Sequence, residues 1–364
     1  MAEVRPVKIA ILSCNHGHAK GYYHLANDRM FDLIAVSTQD DSERLDLLDP
    51  KVPRYKSDIE LYEAHPELEA VIIASDNLSH MEQVREAAKR GIHIFSMKIP
   101  TFDLDEYREM IEITEKAGIV FQIELEMRYH APLCRIEEMI KSGEIGELLS
   151  INMINYSHNP VWWRWWQCNP EKSFGKRVEL RPGDERFRGG ALADHPHVFD
   201  AIRLVSGSSF DTVYAEPAPN IRDGVETEDM VRIIGKLKNG AIFSIDPSYG
   251  NDEQKVKVQE DWEKYPQCVE VFMSAVGTKG TVVADLYGKT FYSQRGVDGS
   301  YMCDMVEDIG LWAIRIHEFY EHIRYGGTPR VNLRNHYESI VTMLASYDSI
   351  TTGKPVKVDA TLDV

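Results

Sequence analysis

The sequence predicts two domains, an α/β domain built on a doubly wound parallel sheet and an α+β domain around a largely antiparallel sheet. The chain has 364 residues, which fits two domains at roughly 100 to 200 residues each. In the first third, short runs of β-branched residues alternate with segments of helix length, as in parallel sheets covered by helices on both faces. Beyond about residue 128, strand-like segments follow one another after a helix, which is typical of an antiparallel sheet. We therefore expect domains of residues 1–127 and 128–364.

The first domain is predicted to contain alternating strands and helices. Strand-like apolar runs lie at residues 7–12, 33–37, 70–74, 92–96 and 120–124. Helix-like segments lie at residues 19–27, 41–48, 59–64, 80–90 and 104–117, and the last two are followed by Gly91 and Gly118. Parallel sheets of this kind bind ligands at the carboxyl ends of their strands, particularly where the strand order reverses. The turn after the first strand is therefore the first candidate for a functional site.

The second domain is predicted to begin with a helix at residues 131–141 and a strand at 148–156. A long irregular stretch at 157–188 carries four tryptophans, and a helix begins near Asp194. Further strands are predicted at 212–215, 230–236, 241–247, 269–275 and 281–284, and helices at 310–325 and 337–351.

Charge and cysteine content restrict the classes of function. Asp and Glu (58) outnumber Lys and Arg (41), and the net charge of -17 disfavours nucleic acid and anionic membranes as partners. No apolar run reaches the length of about 20 residues that a membrane-spanning helix needs, and the N-terminal segment lacks a signal-peptide pattern. Five cysteines without a CxxC pair indicate reduced thiols. We therefore expect a cytoplasmic protein, with neither nucleic acid nor a membrane as its partner.

The turn from Ser13 to His18 follows the first strand and precedes a predicted helix. A dinucleotide-binding fold places three glycines in this turn, whereas this chain has Ser13, Asn15 and His18, with Gly17 between the last two. Backbone N–H groups at the start of the helix would still suit an anion. Two interpretations stay open, a cofactor-binding turn and an ordinary strand-to-helix turn with polar capping residues.

Lys98 follows the fourth strand in the segment Met97-Lys98-Ile99-Pro100. A lysine at the carboxyl end of a buried strand could hydrogen-bond a substrate hydroxyl and stabilise the alkoxide that develops as hydride leaves. The alternative is a solvated lysine before a turn proline.

Polar residues cluster again in the segment from Gly189 to Asp200. Asp194 is predicted to cap a helix in whose first turn Pro196 lies. His197 and Asp200 stand three residues apart on that helix, and a histidine beside carboxylates suits a general base. The alternatives are that Asp194 only caps and that His195 or His197 only packs. A metal site made of Asp194, His195, His197 and His130 lacks ordered ligand spacing, so no metal is predicted.

The order of these segments resembles the Gfo/Idh/MocA family of NAD(P)-dependent oxidoreductases over almost the whole chain. The strand at 70–74 leads into Ser75-Asp76-Asn77 and then His80, similar to a family motif, and Lys98 matches the lysine of the family's Glu-Lys-Pro. Later segments that match are Arg128–Pro132, 142–146, Glu228-Asp229, 277–280, 345–349 and 353–355.

The resemblance implies a Rossmann domain and an open-faced sheet domain, similar to the C-terminal domain of glyceraldehyde-3-phosphate dehydrogenase, that lines the substrate cleft. In this pattern Lys98 orients the substrate hydroxyl and lowers its pKa, His197 takes the hydroxyl proton, and Asp194 holds the substrate or an imidazole. The implied cofactor-binding residues are Ser13, Asn15, His16, Gly17, His18, Thr38, Ser75, Asn77, His80, Lys98 and Arg128. The implied substrate-binding residues are Lys98, Tyr129, Trp162, Trp163, Arg164, Asp194, His195 and His197.

The chain departs from the family pattern at several places besides the glycines. Thr38 stands where a carboxylate after the second strand would bind the ribose hydroxyls, and no arginine lies beside it, so NAD and NADP both stay open. The proline of the lysine motif comes one residue late, at Pro100. The interval from Asp194 to the histidine is one residue shorter than in most members, which makes His195 a rival base.

The expected function is hydride transfer between NAD or NADP and a sugar, cyclitol or related polyhydroxylated small molecule. Four neighbouring tryptophans, with Arg164 among them, would suit stacking on a sugar ring, although they would equally suit a loop anchor or a subunit interface. Two alternatives stay open, a redox-neutral enzyme with tightly held NAD and a non-catalytic nucleotide or sugar sensor. The resemblance also implies a homo-oligomer, a dimer or a tetramer.

Overall fold

The computed structural model describes most of both domains. The described residues are 5–16, 18, 19, 22, 29–38, 50–157, 190–220, 227–249, 269–286, 290–295, 300–305 and 311–363. The predicted irregular stretch and most of the predicted helices at 19–27 and 41–48 lie outside them.

The first domain contains the predicted parallel sheet. Its strands are β1 (Val7–Leu12), β2 (Phe31–Ser37), β3 (Arg54–Tyr55), β4 (Ala70–Ile73), β5 (His93–Ser96) and β6 (Phe121–Ile123). They lie in the order β3-β2-β1-β4-β5-β6, and all neighbours pair in parallel. The five predicted strands are confirmed, and β3 is an addition. Because the order reverses between β1 and β4, the turn after β1 lies at the switch point of the sheet.

Three described helices accompany this sheet, α1 (Asp58–Ala64), α2 (His80–Lys89) and α3 (Leu104–Ala117). The α3 helix begins as its sequence predicts, because the Asp103 carboxylate accepts from the backbone N–H groups of Asp105 and Glu106. It ends at Gly118, whose φ of 65° lies in the left-handed region that favours glycine.

The second domain is an α+β fold around a mixed sheet, as predicted. Its described helices are α4 (Ala131–Lys141), α5 (Gly190–Asp194), α6 (His197–Ser206), α7 (Leu311–Tyr325) and α8 (Leu333–Thr352). Its strands are β7 (Leu148–Ser157), β8 (Phe210–Pro217), β9 (Val231–Leu237), β10 (Ile242–Ser248), β11 (Val269–Gly277), β12 (Gly280–Asp285), β13 (Thr290–Arg295), β14 (Ser300–Met305) and β15 (Val356–Lys357). They lie in the order β14-β13-β12-β11-β7-β10-β9-β8-β15, antiparallel throughout except for the pair β10 and β7. The last three strands of the chain were not predicted.

One face of the large sheet packs against helices and the other is open. Helix α6 packs against α4 and β7, and α8 packs against β8, which places the core on this side. The open face carries partly exposed apolar side chains from six neighbouring strands: Leu149, Ile234, Ile242, Phe272, Val283 and Tyr292. The predicted homo-oligomer stays a prediction. None of the described helices is long and apolar enough to cross a membrane.

The predicted start of the α6 helix is wrong. Asp194 is the last residue of α5, and Pro196 rather than Asp194 occupies the N-cap position of α6. Gly190 begins α5 with a φ of +77°, and a Cβ there would lie 2.6 Å from the carbonyl oxygen of Glu228. The helix ends at Asp194, so the Asp194 side chain does not cap α6 and is available for a different role.

Candidate active site

Lys98 and Asp194 form a buried ion pair between the two domains. Lys98 follows β5 and is 2% exposed, and Asp194 at the end of α5 is 3% exposed. The Lys98 Nζ donates to Asp194 Oδ1 at 2.6 Å and also contacts the Asp194 carbonyl oxygen. The alternative of a solvated lysine is wrong.

The Asp194 carboxylate is ionised in this pair. Burial by itself would raise the pKa of this carboxyl. Electrostatic interactions with Lys98 and His195, and hydrogen bonds from Lys98 and Tyr249, lower the pKa to about 2. Its neighbour His195 has Nδ1 3.7 Å from Asp194 Oδ2, and its ring packs edge-on against Tyr249 with 5.5 Å between centroids. The pair thus presents a fixed cation and anion in an interior where electrostatic interactions are strong.

His197 lies at the start of α6, with Nε2 3.6 Å from Glu126 Oε2. Burial lowers the pKa of His197 to about 4, and burial lowers the pKa of His195 as well. Both imidazoles are therefore neutral at physiological pH and able to accept a proton. The predicted neighbour Asp200 does not serve His197, because its carboxylate binds Arg128.

The turn after β1 contains a residue in the left-handed conformation, although its sequence lacks the expected glycines. Ser13 has a φ of 69°, the only left-handed non-glycine residue among those described, at the place where the first glycine was expected. Its hydroxyl accepts from the Asn15 N–H at 3.1 Å, and its own N–H donates to the Ser37 carbonyl at 3.1 Å. The missing glycine therefore does not prevent the tight turn.

His16 and His18 continue this turn. Their rings lie edge to face with 4.8 Å between centroids, and the His16 N–H donates to the Ala74 carbonyl at the end of β4 at 2.9 Å. Burial, then the charges of His18 and Lys98, hold the pKa of His16 well below its usual range. Gly17 lies outside the described residues. Polar groups thus converge at the switch point, where residues of this kind fit a dinucleotide.

The other predicted cofactor residues form hydrogen bonds within the first domain, and two of them bind the segment after Lys98. The Asn77 amide donates to the Ile99 carbonyl at 2.6 Å, and His80 Nδ1 donates to the same oxygen at 3.0 Å. The peptide bond between Lys98 and Ile99 is cis. Ser75 donates to Gln83 Oε1 at 2.6 Å, and the Thr38 N–H donates to the Tyr55 carbonyl at 3.0 Å.

Arg128 and Tyr129 form hydrogen bonds with groups other than the Lys98–Asp194 pair. The Arg128 guanidinium binds the two carboxylate oxygens of Asp200 at 2.6 and 2.5 Å, and the Tyr129 hydroxyl binds Glu318. These contacts support a structural role for Arg128 and Tyr129. Trp162, Trp163 and Arg164 lie outside the described residues.

Several site residues were not predicted. Arg315 of α7 is 1% exposed and contacts Glu124 Oε1, to which the Tyr22 hydroxyl also donates at 3.0 Å. Glu124 and Glu126 directly follow β6, so the strand-end rule applied to Lys98 would also have found them. At the end of β2, Ser37 donates to Asp58, which supplies a carboxylate that the local sequence lacks.

Two family models match the chain. The model described as oxidoreductase family, NAD-binding Rossmann fold, matches residues 8–125. The model described as GFO/IDH/MocA C-terminal domain matches residues 134–283. The first domain is therefore an NAD-binding Rossmann domain.

Two dehydrogenases align with nearly the whole chain, and a third relative aligns with part of it. D-xylose 1-dehydrogenase (NADP(+)) 2 of Haloferax volcanii is 26% identical over 336 residues, which cover 90% of this chain and 92% of that protein. Myo-inositol 2-dehydrogenase of Thermotoga maritima is 24% identical over 361 residues, which cover 93% and 96%. The match to an uncharacterized oxidoreductase of Bacillus subtilis is 29% identical and covers 60% of this chain and 56% of that protein.

Solved structures share the fold. An oxidoreductase from Agrobacterium radiobacter, solved in complex with NAD+, L-tartaric acid and magnesium, superposes with a TM-score of 0.78 at 20% identity. The superposition covers 97% of this chain and 99% of that chain. This likeness confirms the predicted fold class of a Rossmann domain followed by an open-faced sheet domain.

Proposed function

We propose, from the premise that this chain belongs to the Gfo/Idh/MocA family of NAD(P)-binding oxidoreductases, that it oxidises or reduces an alcohol carbon of a sugar, cyclitol or related polyhydroxylated molecule. The observation that carries the proposal is the buried Lys98–Asp194 pair at the carboxyl edge of the Rossmann sheet, close enough to His197 for the Lys98 charge to lower the pKa of that imidazole. The names of the xylose and inositol dehydrogenases among its relatives support the substrate class.

The cofactor would lie along the switch point, held by Ser13, Asn15 and His16 in the turn after β1. A bound nicotinamide cofactor supplies the hydride acceptor or donor in this chemistry. Both NAD and NADP stay open, because Asp58, the first residue of α1, is already bound by Ser37 at the end of β2 and by the Gln83 amide at 2.8 Å.

Lys98 and Asp194 would orient and polarise the substrate hydroxyl. The Lys98 ammonium group donates hydrogen bonds, and it stabilises negative charge as the hydroxyl loses its proton. Asp194 keeps the ammonium group in place at 2.6 Å and offers a second oxygen to a substrate hydroxyl. Because both side chains are buried, little water competes with these interactions.

His197, rather than His195, would accept the hydroxyl proton. The His197 Nδ1 has no hydrogen-bond partner among the described residues, while its Nε2 faces Glu126. The His195 ring is packed between Asp194 and Tyr249, which suits a residue that supports the ion pair. His197 is neutral at physiological pH, as a general base must be.

Turnover by the purified protein tests the proposed function. NAD+ and NADP+ are each incubated with a panel of aldoses, cyclitols and sugar acids, and formation of the reduced nicotinamide is followed by its absorbance. We expect reduction with at least one member of the panel, and a lower rate in His197→Asn. A complete panel without reduction, together with no oxidation of NADH or NADPH by the corresponding ketones, would contradict the proposal.

A further inference from the structure

We propose that Glu126 is a positioning residue for His197, which it holds with the Nε2 side of the ring toward its carboxylate and the Nδ1 side toward the substrate hydroxyl. The inference rests on the proposed function and names a residue of the same site that the sequence did not single out. It assigns to the two residues a carboxylate–histidine pair in which the carboxylate selects the tautomer and stabilises the imidazolium.

The Glu126 carboxylate and the His197 imidazole lie next to each other in the protein interior. Glu126 opens a single turn of 3-10 helix directly after β6, and His197 opens α6. Glu126 Oε2 lies 3.6 Å from His197 Nε2, and the side chains are 15% and 5% exposed. Catalytic contacts are often this long in ligand-free proteins and shorten when the substrate binds. Since a carboxylate only accepts hydrogen bonds, it favours the tautomer with the proton on Nε2 and the lone pair on Nδ1.

Arg315 adds a positive charge beside the Glu126 carboxylate, near the same oxygen that faces His197. The Arg315 Nη1 lies 3.7 Å from Glu126 Oε2 and also contacts Glu124. The backbone carbonyl of Arg315 accepts from the Gln122 side-chain amide of β6 at 3.0 Å, which ties α7 to the strand that both glutamates follow. Burial would raise the pKa of Glu126, as would Glu124, but His197 and Arg315 lower it overall. Glu126 is therefore an ionised partner for the imidazole.

The other charged groups around His197 shift the pKa of its imidazole in opposite directions. Burial lowers its pKa most, and Lys98 and His195 lower it further. Glu126 opposes them, with a smaller contribution from Glu124. Among the groups that face the ring, Glu126 therefore contributes most to stabilising the imidazolium that forms when the substrate proton is taken.

Nuclear magnetic resonance of the histidine side chains tests this role without any substrate. Protein labelled with 15N-histidine is compared as wild type, Glu126→Gln and Glu138→Gln, and the His197 signals are assigned from His197→Gln. Glu138 is the matched control, since its exposed carboxylate pairs with Arg135 on α4. We expect the Nε2–H tautomer for wild-type His197 at neutral pH. In Glu126→Gln the imidazole pKa should fall by about one unit, because a nearby anion is lost. An Nδ1–H tautomer in the wild type, or a His197 pKa in Glu126→Gln equal to that of the control, overturns the inference.

Kinetics separate positioning from a merely structural role. With a substrate found by the turnover panel, Glu126→Gln should lower kcat about 10- to 100-fold, leave the KM for the cofactor unchanged, and move the acidic limb of the kcat/KM profile to lower pH. Glu126→Asp, which keeps the charge, should recover part of kcat. Equal losses in the two variants, with an unshifted limb, would mean that only packing matters and would overturn the proposal. A wild type without hydride transfer would refute the proposed function, whereas the tautomer and pKa of His197 would still decide the role of Glu126.

Discussion

Replacement of Lys98 by methionine is expected to lower kcat/KM by about a hundred- to ten-thousandfold. Methionine fills similar space but cannot donate to the substrate hydroxyl or stabilise the developing alkoxide. It also removes the cation that lies 2.6 Å from Asp194, so the pKa of that buried carboxyl should rise. Activity against the best substrate of the panel, measured with saturating cofactor, gives the loss.

Two comparisons show whether the loss in Lys98→Met comes from chemistry. Lys89→Met, at the exposed end of α2, removes the same charge away from the site and should keep the wild-type rate. Unfolding of Lys98→Met by denaturant should show that the protein remains folded at the assay temperature. A folded Lys98→Met protein with undiminished kcat/KM would refute the assignment of Lys98 to the active site.

Replacement of Asp200 by asparagine is expected to lower the free energy of unfolding by about 3 to 5 kcal/mol. The substitution leaves the Arg128 guanidinium buried without the carboxylate that binds it at 2.6 and 2.5 Å. It also removes the partner of His336, whose Nδ1 lies 3.5 Å from Asp200 Oδ1. Chemical denaturation of the variant and the wild type gives the difference. Glu115→Gln, which breaks a half-exposed pair with Arg334, should cost about 1 kcal/mol or less.

The same pair predicts how stability depends on pH. Burial would raise the pKa of Asp200, but Arg128 and His336 lower it well below its usual range. The ionised carboxylate therefore stabilises the fold above the pKa of an unfolded aspartate, and this contribution is lost as the pH falls toward the lower folded value. The wild type should lose stability on acidification more steeply than Asp200→Asn. Parallel pH curves, or a cost no larger than that of Glu115→Gln, would show that the pair does not stabilise the fold.

The sequence predicted elements well where local signals are complete. Helix α3 has an Asp cap, an amphipathic body and a closing glycine, and its bounds agree with the prediction of residues 104–117. Strand β3 has two residues, too few for any pattern, and pairs only because β2 lies beside it. The start of α6 was misplaced because Asp194 satisfies the rules for a helix cap, yet Lys98, 96 residues earlier, binds its carboxylate. Local rules do not include so distant a partner.

Lys98, Asp194 and His197 could be singled out from the sequence as candidates, whereas the groups that surround them could not. Lys98, Asp194 and His197 stand in a recognisable order, and the structure brings Lys98 and Asp194 into contact. Arg315 contacts Glu124 across 191 residues of sequence, a distance at which spacing carries no information. The positive φ of Ser13 could not be predicted either, since serine seldom adopts this conformation and only the structure of the turn shows it.

We propose that the turn from Ser13 to His18 binds a nicotinamide dinucleotide beside Lys98. Calorimetric titration of the purified protein with NAD+, NADH, NADP+ and NADPH tests it most directly. We expect saturable binding of at least one of these, with a single site per chain. Absence of binding for all of them, in a protein shown to be folded, would contradict it.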